Sequence, residues 1–235
     1  MITVSHRNAP ESLLRISHLT KNYDGHAALH DLNLRLDPGH LVALVGHNGA
    51  GKSTLLGIIS GLIDPTDGEV LVGGHIAGSL PARALLSYAG DNPVLYDDLS
   101  VWEHLEYVAA LHGVDDWQTP SRELVEMFGL QDRADDLPSR FSRGMRQKTA
   151  LAVALVRPAA VVIVDEPFVG LDMKAQAALL DVLEARAASG STIIVATHQP
   201  LFLSHADWCV MLHDGRLQHD APPNAEILEA LQKGE

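Results

Sequence analysis

The sequence predicts an α/β fold with a mostly parallel sheet, an N-terminal antiparallel β subdomain and an inserted helical lobe. Three observations carry that prediction. The stretch Gly46-His47-Asn48-Gly49-Ala50-Gly51-Lys52-Ser53-Thr54 fits G-x-x-x-x-G-K-[ST]. It stands between the apolar run Leu41–Val45 and a helix start, the context that a phosphate-binding loop requires. Continuous apolar runs at residues 159–164 and 192–196 have the pattern of parallel strands covered on both faces, and they alternate with helical segments. Residues from about 96 to 143 lack such runs and read as a helical lobe set into a P-loop NTPase core.

Residues 1–12 read as an extension, and 13–235 as one domain containing that lobe. Apolar and polar residues alternate over 13–23 (Leu14, Ile16, His18) and over 28–36 (Leu29, Leu32, Leu34, Leu36), which suits half-buried strands in an antiparallel sheet beside the nucleotide. Asp24-Gly25 and Asp37-Pro38-Gly39 supply the turns. A helix over 54–60 follows the glycine loop, then a short strand over 69–72 ended by Gly73-Gly74, and a brief helix over 80–86. Ser87-Tyr88-Ala89 leads into a polar loop, Gly90-Asp91-Asn92-Pro93. Ser100 caps a helix to Leu111, with Glu103 as its capping-box partner. A second helix starts near Pro120, in the turn where proline is tolerated, and runs to Phe128. Residues 137–142 are a linker. Gly144 opens a long Ala/Leu-rich helix to Val156, which should be buried. The helix Met173–Ala188 stops at Ser189-Gly190, Asp214-Gly215 joins two final strands as a hairpin, and a short helix runs from Asn224.

Composition narrows the function classes. The chain has 235 residues, 46% of them hydrophobic, and a formal net charge of -13. An acidic surface argues against a nucleic-acid partner, which would need a basic face. The single cysteine, Cys209, lies in an apolar run and reads as a buried small hydrophobe in a reducing compartment. No stretch is long and apolar enough to span a bilayer, and residues 1–12 lack the apolar centre of a signal peptide. The 13 histidines are scattered; only His26 and His30 come near metal-ligand spacing, and they read as surface residues.

The candidate site follows from phosphate chemistry. Gly46, Gly49 and Gly51 let the backbone curl so that successive N–H groups point inward, and the following helix start adds its unpaired N–H groups. Lys52 adds a positive charge for the terminal phosphates, and the Ser53 hydroxyl is a hard oxygen donor suited to Mg²⁺. Asp165-Glu166 falls at the C-terminal end of a buried strand, the edge where such sheets bind ligands. There Asp165 can hold Mg²⁺ and Glu166 can polarise a water.

On these residues the chain resembles the ATPase subunits of ABC transporters from about Leu13 to His219. Residues 141–147 (Phe-Ser-Arg-Gly-Met-Arg-Gln) resemble the family signature, Gly170-Leu171-Asp172 the D-loop, and His198 the switch histidine. Tyr23 sits where the family stacks an aromatic ring on adenine. The resemblance implies ATP and Mg²⁺ as cofactors. It implies a nucleotide site made of Tyr23, Gly46, Asn48, Gly49, Gly51, Lys52, Ser53 and Thr54, completed by Ser142, Gly144 and Asp172 across a head-to-tail pair with a second ATPase subunit. Ser53, Asp91 and Asp165 are the expected metal ligands, and Glu166, His198 and Lys52 the expected catalytic groups.

Arg143 and Met145 depart from the usual signature, while Ser142 and Gly144 keep the hydroxyl and the close backbone approach. Asp91 stands where the family usually places a glutamine that touches Mg²⁺ and couples the site to the membrane partner; the expectation is that it keeps a metal role and retunes coupling. The implied partner is a separate transmembrane permease, contacted near residues 95–103, with the ATPase subunit in the cytoplasm on the inner face of the membrane. Residues 95–101 and 141–148 have the texture of exporter subunits. A soluble ABC-type ATPase and a catalytically weak regulatory subunit are the competing readings.

Overall fold

A computed structural model describes residues 12–224. The predicted extension before Ser12 and the helix predicted from Asn224 onward fall, apart from those two residues, outside the described part. The chain begins with β1 (Leu14–Tyr23) and β2 (His26–Leu36), then β3 (Leu41–Val45), which leads through the glycine loop into α1 (Lys52–Ile59). Next come β4 (Asp67–Val72), β5 (His75–Ile76), α2 (Leu80–Leu85) and β6 (Leu86–Ala89). The helical stretch comprises α3 (Val101–Leu111), α4 (Gln118–Met127), 3₁₀ turns at Gln131–Arg133 and Pro138–Arg140, and α5 (Arg143–Leu155). The chain then returns through β7 (Val161–Asp165), α6 (Met173–Ala188), β8 (Thr192–Ala196), the single turn α7 (Pro200–Leu203), β9 (Trp208–His213) and β10 (Arg216–Ala221).

Two sheets result. The first is four-stranded, in the order β2-β1-β4-β5, and every pairing in it is antiparallel. The second is six-stranded, in the order β10-β9-β3-β8-β7-β6, and only the β9–β10 hairpin in it is antiparallel. Every residue of β3, β7 and β8 is buried, because both faces of the sheet are covered. Leu41, Ala43 and Val45 of β3 face α5 and α6, whereas Val42 and Leu44 face α1 and the antiparallel sheet. Burial on both sides is why these strands read as unbroken apolar runs rather than alternations.

Some elements differ from the sequence expectation. Residues 86–89 form an edge strand rather than the approach to a loop. They pair in parallel with β7, Leu86 opposite Val161 and Ala89 opposite Val164. With only four residues, among them Ser87 and Tyr88, β6 owes its strand conformation to its neighbour rather than to its own propensity. The two-residue β5 and the one-turn α7 are likewise supported by tertiary context. The cap predicted at Ser100 is present in full: the Glu103 amide donates to Ser100 Oγ at 3.2 Å and the Ser100 amide to Glu103 Oε2 at 2.8 Å. Cys209 is fully buried, and burial pushes its thiol up to about 11, so it is inert.

Candidate functional site

The glycine loop joins the C-terminal end of β3 to α1. Gly46, Gly49 and Gly51 have φ of 148°, 89° and 102°, the left-handed side of φ space that favours glycine. Space is as restrictive as conformation: a Cβ on Gly46 would lie 2.3 Å from the Leu212 carbonyl oxygen, and one on Gly51 2.7 Å from that of Ala28. Because no side chain caps α1 at Gly51, its first amides remain available to an anion. Lys52 is 8% exposed, and its Nζ donates to the carbonyls of Gly46 at 2.6 Å and His47 at 3.2 Å. Burial lowers its pKa, while the carboxylates of Glu166 and Asp165 act in the opposite direction.

Opposite the loop stand the ends of β7 and β8. Ser53 Oγ donates to Asp165 Oδ2 at 3.1 Å, so α1 and β7 meet through a hydroxyl and a carboxylate. The Asp165 pKa is raised, chiefly by burial. Glu166 has φ of 47°, a strained conformation for a side chain of its size, and its amide donates to the Ala196 carbonyl at 2.8 Å. Its Oε1 lies 2.9 Å from His198 Nε2, within ion-pair range but without hydrogen-bond alignment. Burial is the main cause that pushes the Glu166 carboxyl up to about 7; Lys52 opposes the shift, and Asp165 and Asp91 add to it. Burial, followed by Lys52, pulls the pKa of His198 below its ordinary value.

These groups line a cavity of about 460 Å³ together with Asn48, Gly49, Gly51, Thr54, Ala28, Asp91, Arg143 and Val169. The donors inside it that suit a metal are hydroxyl and carboxylate oxygens, the set a hard divalent cation takes. Other predicted site residues stand elsewhere. Tyr23 is 44% exposed at the end of β1 and does not line the cavity; Lys21 Nζ sits 4.9 Å from its ring centroid. Gly46 lies beneath the loop, holding Lys52 through its carbonyl. Ser142 caps α5 by accepting from the Met145 amide at 3.3 Å, and Asp172 caps α6 by accepting from the Ala175 amide at 2.9 Å. Asp172 also pairs with Lys148 at 3.1 Å. Gly144 packs on Gly170 so closely that a Cβ there would lie 2.9 Å from the Gly170 carbonyl oxygen.

Sequence reasoning missed the place of Arg143. Its Nη2 donates to Asp91 Oδ1 at 3.0 Å, so the residues that depart from the family pattern at two positions are partners in space. From the same turn of α5, Arg146 donates to the Pro93 carbonyl at 3.3 Å, a second tie between α5 and the loop after β6. Opposite charge was the only available signal, and 51 intervening residues hide it.

The fold and this site define an ABC-type ATPase. The chain belongs to the ABC transporter family, whose model matches residues 29–169. It is accordingly an ATP-binding and ATP-hydrolysing component of ATP-driven transport. Among its relatives is the ABC-type transporter ATP-binding protein EcsA of Bacillus subtilis, 34% identical over 88% of this chain and 86% of that protein. Another is the SkfA peptide export ATP-binding protein SkfE of the same organism, 31% identical over 88% of each chain. A solved structure of the ATP-binding subunit of an ABC transporter superposes with a TM-score of 0.84, at 32% identity over 90% of both chains. None of the helices among the described residues is long and apolar enough to cross a membrane.

Proposed function

We propose that this ATPase drives export through a separate transmembrane permease, and that it works as one of two cassettes paired head to tail. The observation that carries the catalytic reading is Glu166, held in a strained backbone at the end of β7, 2.9 Å from His198 and facing the glycine loop. In the proposed reaction, Glu166 takes a proton from water while the water oxygen bonds to the γ-phosphorus. The bond from that phosphorus to the β–γ bridging oxygen breaks, releasing ADP and phosphate. His198 orients Glu166 and the γ-phosphate; Lys52 and the amides of Asn48, Gly49, Gly51, Ser53 and Thr54 hold the phosphates. Ser53, Asp165 and Asp91 would hold Mg²⁺, which supplies charge neutralisation on the phosphates.

Ser142, Gly144 and Asp172 do not line their own chain's phosphate cavity, which supports the reading that they serve the nucleotide of a partner subunit. Tyr23, exposed at the end of β1, is the proposed adenine platform. The likeness to SkfE, a peptide export ATP-binding protein, favours export. Attachment to the inner face of the membrane would come through the permease, contacted by the exposed Val94 and Tyr96 ahead of α3. A regulatory subunit without turnover is the weaker reading, because Glu166 and His198 stand together.

Steady-state ATP hydrolysis tests the proposal. Glu166→Gln is expected to lower kcat by roughly 10²–10⁴ with nucleotide binding kept, and Lys52→Ala to lose both. Wild-type turnover in either variant would refute the assignment. Co-purification with a membrane protein, and transport assayed in vesicles of known orientation, test the permease partner and the direction.

A further inference from the structure

Outside the phosphate cavity, His47, His213 and Asp214 converge, each with a ligand atom within 4.8 Å of the others. His47 belongs to the glycine loop; the other two end β9 and begin its hairpin turn. We propose that this cluster is a binding site for a borderline divalent metal ion of the zinc class, bridging the phosphate-binding loop and the β9–β10 hairpin.

Proton placement carries the argument. His47 Nδ1 lies 2.9 Å from the Asn48 carbonyl oxygen. A carbonyl oxygen only accepts, so Nδ1 bears the hydrogen, and in the neutral ring Nε2 is left with its lone pair. Nε2 is buried and has no hydrogen-bond partner. It faces Asp214 Oδ1 at 3.2 Å. Two lone-pair atoms at that distance call for a cation between them or for a proton on the ring. The other oxygen of the same carboxylate, Oδ2, lies 3.7 Å from His213 Nε2. A tetrahedral ion with bonds of about 2.0–2.1 Å sets its ligands roughly 3.3–3.4 Å apart; the His47 Nε2–Asp214 Oδ1 separation of 3.2 Å is close to that, and the ligand atoms of all three residues, within 4.8 Å of one another, would draw in around the ion. Imidazole nitrogens with one carboxylate suit zinc better than Mg²⁺ or Ca²⁺, which take oxygen. The backbone carbonyl on His47 Nδ1 is the outer-shell contact that orients a metal-binding histidine.

The backbone around the cluster is also held in place. The turn has Asp214 at φ 46° and Gly215 at φ 71°. The Gly215 amide donates to the Ala50 carbonyl at 3.0 Å, and the Gly215 carbonyl accepts from the His30 amide at 2.8 Å. Hairpin and glycine loop therefore meet through backbone, and chelation needs only side-chain rotation. The side chains of His213 and Asp214 are 54% and 76% exposed, which leaves the fourth position to water. The His47 carbonyl accepts from Lys52 Nζ, so an ion on the ring would brace the segment that anchors Lys52.

The test is a zinc titration of the untagged, metal-stripped full chain against a chromophoric chelator, with Co²⁺ absorption reporting ligand geometry. One ion per chain at about micromolar affinity is expected, with a tetrahedral Co²⁺ spectrum. His213→Ala and Asp214→Asn should each weaken uptake at least about tenfold, and His26→Ala, at a surface histidine outside the cluster, should leave it unchanged. ATP turnover in zinc-free Mg²⁺ buffer should match wild type in all three, which shows that they fold. No uptake by the wild type means that a proton on His47 satisfies the contact and overturns the proposal; so does uptake that His213→Ala and Asp214→Asn leave intact.

Discussion

Glu166 combines backbone strain, burial and a histidine neighbour, and each affects its proton. Burial is the main cause that pushes its carboxyl up to about 7. A base must lose its proton before it can act. The kcat/KM for ATP, which reports the free enzyme, is therefore expected to fall about tenfold per pH unit below about 7 and to level off above it. A profile flat from pH 5.5 to 8 would remove Glu166 from that role. Arg143 offers a second test at the same scale. Asp91 puts negative charge into the cavity proposed to hold the triphosphate, and Arg143, 3.0 Å away, offsets it. Arg143→Gly alone should raise KM for ATP about threefold to fivefold, equivalent to roughly 1 kcal/mol for a partly exposed pair. Asp91→Gln in the Arg143→Gly background should bring it back. Additive effects across the four proteins would show that the pair is uncoupled.

Among the elements, α3 carries a clear local signal. Ser100 and Glu103 close a reciprocal capping box, and Val101, Leu105 and Ala109 turn one face into the core. Ser100→Ala removes a buried hydroxyl and its bond, so a loss of about 1 kcal/mol in chemical denaturation is expected, without change in ATP affinity. Ser142 and Asp172 also cap helices, which gives each a structural role in addition to its proposed contact across the subunit pair. The edge strand β6 shows the limit of local reading. Residues 86–89 are too few and too mixed to announce a strand, and the bonds to β7 make them one. That strand delivers Asp91 to the cavity, so the placement of Asp91 was as hidden as the strand itself.

For the whole molecule, the arrangement is a site open on one side. Lys52, Ser53, Asp165, Glu166 and His198 converge, while Ser142, Gly144 and Asp172 do not line the cavity of their own chain. With hydrolysis slowed by Glu166→Gln, ATP should drive a purified preparation from monomer to dimer, measurable by light scattering. Failure of that variant to associate at saturating ATP, with binding intact, would count against the head-to-tail pair. The phosphate loop, the buried strands and the Asp165-Glu166 pair were legible because they are contiguous: an eight-residue motif and two apolar runs state their chemistry locally. By contrast, the Asp91–Arg143 pair and the His47–His213–Asp214 cluster join residues far apart in the chain. Neither carries a spacing rule.

Taken alone, the sequence determined the fold class, the phosphate-binding chemistry and the identity of the acidic pair, because backbone conformation and strand burial leave short-range patterns in residue type. Only the tertiary structure decided which side chains share the cavity and where a loop histidine meets a hairpin carboxylate. Those depend on sheet order and strand register, and the contacts that set them lie between segments with no local trace of each other.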